Sequence, residues 1–205
     1  MTGYYEWFEN EFISQSPGVA GRSNFTSNAP GAEHRGIEFA ANWAFLDGFH
    51  AGAAYTFNDH VYTDYNEVIG TVTFDRSGKE IPGVERHILN ARLGYDQPRG
   101  ALRGLGGWFE VNALSDFWIN NSNTLEAPGY AVLNANLHFS RDIKGKFLEK
   151  LTAFIEVQNL TDRDYVSSAV VVADALTDTP ASLRNKQAFF AGQELSIYGG
   201  LNLKF

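Results

Sequence analysis

The dominant pattern along the chain is alternation with period two, in segments of about ten residues separated by clusters of Gly, Asn, Asp and Pro. It is clearest over residues 35–46, where Ile37, Phe39, Ala41, Trp43 and Phe45 face one way and Glu38, Ala40, Asn42 and Ala44 the other. Asp47-Gly48 supplies a two-residue turn that tolerates positive φ. The alternation then resumes with Phe49, Ala51, Ala53, Tyr55 and Phe57 against His50, Gly52, Ala54, Thr56 and Asn58. Further segments at 3–14, 87–96, 108–118, 130–140, 151–160 and 194–205 bring the predicted strands to eight. The connections at 47–48, 97–107 and 141–150 form one set. Those at 15–34, 61–86, 120–129 and 161–193 form the other, mostly longer, set.

A water-exposed sheet carries Lys and Glu on its outer face. Here the polar positions are rich in Asn, Gly, Ser and Thr, and aromatics gather towards strand ends at Trp43, Phe45, Phe49, Tyr95, Phe117, Trp118 and Tyr130. A lipid-facing antiparallel β-barrel with aromatic girdles and a watery lumen accounts for both features. Hydrocarbon also demands closure, because every unpaired backbone group there costs several kcal/mol. The inward set includes Gly52, Ala54, Gly94 and Gly200, too small to fill a narrow eight-stranded lumen, so the pattern predicts part of a wider barrel.

Composition narrows the function. The 205 residues include no Cys, which excludes a disulfide scaffold, a Cys-ligated zinc site and a thiol nucleophile. A net charge of −8 with no basic stripe argues against nucleic acid as a partner. No run approaches the roughly 18 to 20 apolar residues of a spanning helix, which leaves a barrel open. No basic and apolar signal-like segment opens the chain.

The five histidines, His34, His50, His60, His87 and His138, lack ligand spacing and read as lumen or loop residues, so no metal site is expected. Glu110, Glu156, Asp96 and Asp116 carry acid–base chemistry in principle, but barrels line lumens with such groups. No Gly-x-Ser-x-Gly elbow is present. The expectation is a protein that is not an enzyme and has no cofactor. Arg92 and Glu110 fall near mid-strand, where an arginine facing lipid costs about 2 to 4 kcal/mol, so both are predicted to face the lumen, as is Glu156. Tyr62, Tyr65, Phe117 and Trp118 are candidates to stack on a flat ligand, although girdle anchoring explains the same residues. Arg163 and Arg184, with Lys186, are candidates to attract an anionic complex, and residues 169–173 read as a strand extension.

Three stretches carry a family resemblance. Asn28 through Glu38 resembles an N-x-G-x-x-x-x-x-G-x-E element leading into a barrel strand. Ile81-Pro82-Gly83-Val84-Glu85-Arg86-His87 resembles an IPGVPRH element, with Glu85 in place of proline. Asn159-Leu160-Thr161-Asp162-Arg163-Asp164-Tyr165 resembles the NLTDRxY signature, and the chain ends in Phe205. Together they resemble the C-terminal part of the barrel of TonB-dependent outer-membrane receptors. The resemblance implies a Gram-negative outer-membrane location, uptake of a ferric siderophore or related iron complex, energy from TonB, and about 22 strands around a plug. Arg92, Glu110 and Glu156 would then meet the plug. It places Phe205 at the periplasm and the loops 61–86, 120–129 and 161–193 outside the cell. No TonB box or plug precedes Tyr4, so residues 1–205 are expected to be a C-terminal barrel segment or a truncated reading frame. The rival readings are a self-contained eight-stranded outer-membrane barrel with a structural or adhesive role, and a soluble β-sandwich binding module.

Overall fold

A computed structural model describes residues 1–15, 25–143, 147–169 and 189–205. Its frame is one antiparallel eight-stranded sheet formed by β1 (Thr2–Gln15), β2 (Phe25–Phe45), β3 (Phe49–Asp64), β6 (His87–Asp96), β7 (Leu105–Leu114), β10 (Tyr130–Asp142), β11 (Lys150–Gln158) and β14 (Ser196–Lys204). Each frame strand pairs with the next one in the chain, the order of a meander. Three small hairpins ride on one end: β4 (Asn66–Ile69) with β5 (Val72–Asp75), β8 (Phe117–Trp118) with β9 (Glu126–Ala127), and β12 (Val166–Ala169) with β13 (Phe189–Ala191). Among the described residues β1 and β14 are the two edges, and the sheet is not closed on itself as the eight-stranded rival requires. Nor does a second sheet cover the apolar face among the described residues, as a sandwich would.

The register shows why the alternation was legible. Ile37 lies opposite Phe57, Phe39 opposite Tyr55 and Trp43 opposite Ala51. The same face continues through Leu93, Phe109, Ala135, Val157 and Ile197 across five further strands. Slipping any strand by one residue would exchange its faces, so each apolar row fixes the register of its neighbour. Large apolar side chains on this face are exposed, among them Trp43, Leu93, Phe109, Leu137, Ile155, Ile197 and Leu201. An apolar face of this extent needs a solvent other than water.

The limits of that solvent are marked by chemistry. At the short-turn end the rings of Trp43, Phe45, Phe49 and Tyr95 follow one another at centroid spacings of 4.6, 6.0 and 4.6 Å. At the other end, one step beyond the Ile37–Phe57 pair, Arg35 binds Asp59 at 2.6 Å and Glu33 at 2.9 Å on the same outer face. Charges there lie outside hydrocarbon. The outward apolar stretch from Ile37 to Phe45 spans about nine residues, as a tilted membrane strand requires.

Several predicted boundaries change. Residues 15–34 do not form one long loop, because β1 runs to Gln15 and β2 starts at Phe25. This part of the wall lies beyond the lipid and packs locally on loop residues, Ile13 and Ala29 against Tyr62 and Tyr65, so no lipid–water contrast imposes a period on it. Likewise β3 runs to Asp64, and the 61–86 connection contains the β4–β5 hairpin. The predicted strand 108–118 breaks after Leu114, and Phe117–Trp118 turns away to pair with β9. The Asp47-Gly48 turn takes a third residue, with Leu46 at φ 53° and Gly48 at φ 91° between the paired Phe45 and Phe49. The last strand runs from Ser196 to Lys204, shorter than 194–205.

Candidate functional site

The polar face carries the candidate site. Arg92 and Glu110 are register partners on β6 and β7, and Arg92 Nε and Nη2 both donate to Glu110 Oε2, at 2.9 and 2.5 Å. The guanidinium lies over the Trp108 ring, 4.0 Å from its centroid. Asn112 Nδ2 donates to the other carboxylate oxygen at 3.1 Å, and Asn90 Nδ2 donates to Asn112 Oδ1. Glu110 is thereby buried and satisfied, while the Arg92 side chain keeps 43% of its exposure and can still meet another surface. Glu156 lies on the same face, opposite Asn136 and Tyr198, and accepts from Gln158 Nε2 at 3.1 Å. A polar hollow of 490 Å³ unites Asn90, Arg92, Glu110, Asn112 and Glu156. Its donors and acceptors suit a hydrogen-bonding surface and offer no nucleophile–base pair.

The candidates at the long-loop end separate into different environments. Tyr62 and Tyr65 are 1% exposed and pack against each other and against Ile13, Ala29 and Ile81. Their rings form a core under the folded-back loop and are not presented to a ligand. Tyr62 donates to Asn121 Oδ1 at 3.0 Å, Asn121 Nδ2 donates to Glu67 Oε1 at 2.7 Å, and Arg76 Nε donates to Glu67 Oε2 at 2.9 Å. Burial pushes the Tyr62 phenol pKa up, so it stays a neutral donor. Phe117 and Trp118 are half-buried, and Phe117 packs on Ile119, Leu125 and Ala127. Arg163 is exposed at the rim with Nη1 donating to the Ala131 carbonyl at 3.2 Å. Arg184, Lys186 and most of the 169–173 segment lie outside the described residues.

The NLTDRxY stretch is a clamp. Asn159, 2% exposed and at φ 50°, donates through Nδ2 to the carbonyls of Arg163 and Gln193 at 2.9 and 3.0 Å and accepts from Arg163 N–H at 3.0 Å. Asp162 Oδ1 accepts from Leu195 N–H at 3.1 Å, and Tyr165 packs on Tyr130 with centroids 4.4 Å apart. The side chains tie together the two ends of the 161–193 connection. Asn159→Ala removes three part-buried hydrogen bonds to the backbone of Arg163 and Gln193, at a local cost of about 1 to 3 kcal/mol. Faster amide hydrogen exchange at Arg163 and Leu195, with the β6–β7 ladder unchanged, is the expected result. Unchanged protection at both residues would contradict the clamp.

Sequence reasoning treated the histidines singly and missed a pair. His34 and His60, facing across β2 and β3 above the Arg35 belt, stack at 4.1 Å with ring planes 3° apart. His34 Nε2 contacts Glu11 at 3.1 Å, and His60 Nε2 meets the Tyr4 hydroxyl at 3.0 Å, which itself donates to Asn58 Oδ1 at 2.7 Å. With its proton given to Asn58, Tyr4 can only accept from His60. Burial, and next the like charge of His34, push His60 down from 6.5 to about 4, with Asp59 opposing. A depressed histidine pKa means that the unfolded chain takes up the proton first. The stacked corner therefore keeps its full stability above pH 6.5 and loses it progressively towards pH 4. A nuclear magnetic resonance titration should place the His60 midpoint below 5, and a midpoint above 6 would contradict the stacking account.

Sheet order, the apolar outer face between an aromatic row and an ion-pair row, and the polar inner face together define the wall of a transmembrane β-barrel of the outer-membrane kind. The model of the family described as TonB dependent receptor-like, beta-barrel, matches residues 1–160, and the chain belongs to that family. It is 27% identical over 136 residues to the ferrioxamine B receptor of Salmonella typhimurium, a match covering 66% of this chain and 18% of that protein. Among solved structures, the siderophore receptor PiuA of Acinetobacter baumannii superposes with TM-score 0.67 at 17% identity, over 98% of this chain and 25% of that one. The ferric preacinetobactin receptor BauA of the same organism gives TM-score 0.65 at 18% identity, over 97% and 26%. The chain thus spans less than a fifth of the curated relative and about a quarter of these solved receptors. These relatives are receptors for transport and not enzymes, and the family consists of outer-membrane proteins of Gram-negative bacteria.

Proposed function

We propose that residues 1–205 supply the C-terminal barrel strands of an outer-membrane receptor that takes up a ferric siderophore or related iron complex with energy from TonB. The observation that carries this reading is an unclosed eight-stranded wall, apolar outside and polar inside, alike over nearly its whole length to about a quarter of each of two siderophore-receptor chains. On this reading the short turns lie at the periplasm and the long connections outside the cell. Arg92, Glu110 and Glu156 face the plug. The ligand meets the rim at the half-buried Trp118 and the exposed Arg163, with Phe117 buttressing it from beneath and Arg184 a further candidate. Tyr62 and Tyr65 brace the loops.

The test is growth of the source bacterium under iron limitation on a panel of hydroxamate, catecholate and citrate complexes, with and without the coding segment for residues 1–205. Loss of growth on one ligand class, with uptake of its radio-iron complex abolished, is expected. Undiminished uptake of every complex would overturn the proposal. Cells given residues 1–205 alone should take up none.

A further inference from the structure

We propose that the outer wall holds a seat for one anionic phospholipid of the periplasmic leaflet, its acyl chain in a groove floored by Gly107 and its phosphate at Arg141 and Arg103. The proposal rests on the reading of the apolar face as lipid-facing.

A hollow of 480 Å³ opens on the apolar face where Gly107 and Ala135 fall between the larger Tyr95, Phe109, Leu137 and Ile155. Gly107 lies in the register row Tyr95, Gly107, Leu137, Ile155. A Cβ there would stand 2.5 Å from the Asn136 carbonyl oxygen, so close approach of the β10 backbone requires glycine and the hollow comes with it. A hollow in hydrocarbon fills with the nearest flexible apolar chain, because an unfilled one forfeits dispersion contacts along its lining.

The charge below the groove selects the headgroup. Along β10, Leu137 and Phe139 share the outer face with Arg141, which is exposed and donates through Nη1 to the Ala101 carbonyl at 3.3 Å. Arg103 is exposed on the same short turn, as is Arg99, which pairs with Asp47 at 2.9 Å. Asp47 is taken by Arg99, Glu149 by Lys204 and Asp96 by His138, whereas Arg103 and Arg141 have no carboxylate partner among the described residues, which leaves these two cations for a lipid phosphate. From Leu137 down to Arg141 the strand runs about 13 Å, within the reach of one acyl chain.

The test uses the protein extracted from its own membrane in mild detergent, with bound lipids identified by native mass spectrometry and compared with bulk membrane lipid. Phosphatidylglycerol should be enriched over phosphatidylethanolamine. The double change Arg103→Glu with Arg141→Glu should lower the enrichment roughly fivefold or more for each charge removed. Ala135→Phe, which fills the groove and leaves the arginines, should reduce bound phospholipid of every headgroup. Bulk composition in the unaltered protein, or enrichment indifferent to both variants, overturns the seat. Recovery of the protein in the soluble fraction would instead overturn the membrane reading beneath it.

Discussion

Leu137→Arg should cost about 2 to 3 kcal/mol of folded stability in the bilayer, whereas Asn136→Arg, one residue earlier, should stay within about 0.5 kcal/mol. Leu137 is 56% exposed on the apolar face, beside Gly107 and Ile155. An arginine there must enter hydrocarbon or distort the lipid around it. Asn136 occupies the opposite face, register-paired with Glu156, so an arginine in its place finds water and a counter-charge. The folded fraction in the membrane, read from heat-modifiable migration and urea titration, checks the pair of variants. Equal losses would mean that the two faces have been assigned wrongly.

Glu67→Ala should loosen the β4–β5 hairpin by about 2 to 4 kcal/mol while leaving the eight-stranded frame intact. Glu67 is 1% exposed and receives hydrogen bonds from Arg76 and Asn121, so its removal deletes two charge-assisted bonds and opens a hole between loops. The hairpin is a sheet of its own, and the loss is therefore local. Hydrogen exchange at Ile69 and Val72 should accelerate on the order of a hundredfold, with β6 and β7 unchanged. Asn121→Ala should follow the same pattern at about 1 to 2 kcal/mol, because the carboxylate keeps its arginine. A drop in the melting temperature of the whole barrel, with hairpin protection preserved, would contradict the division into frame and loops.

Sequence alone revealed the membrane part of the wall and little above it, for a physical reason. Between Ile37 and Phe45 one face meets lipid and the other water, and that contrast writes itself into alternate residues. Above Arg35 the lipid–water contrast ends and Ala29 packs instead on Tyr62 and Tyr65 from another part of the chain, so Phe25 to His34 carries no period although β2 continues through it. That Arg92 and Glu110 avoid the apolar face followed from the cost of a charge in lipid, but their contacts with Trp108 and Asn112 depend on register, which alternation does not specify. The Tyr62–Asn121–Glu67–Arg76 network joins residues far apart in the chain, and no local spacing marks it. Asn159 was visible as a letter of a signature, while its work as a clamp appears only once Gln193 is seen beside it.

The two unpaired margins of the sheet carry a practical consequence. β1 offers fourteen residues and β14 nine, each with its backbone groups directed outward beside a broad apolar face. In water, such margins are templates for adding another copy of the same strand. Residues 1–205 made without the rest of a barrel wall and without lipid should therefore polymerise side by side, with light scattering that grows steeply with protein concentration.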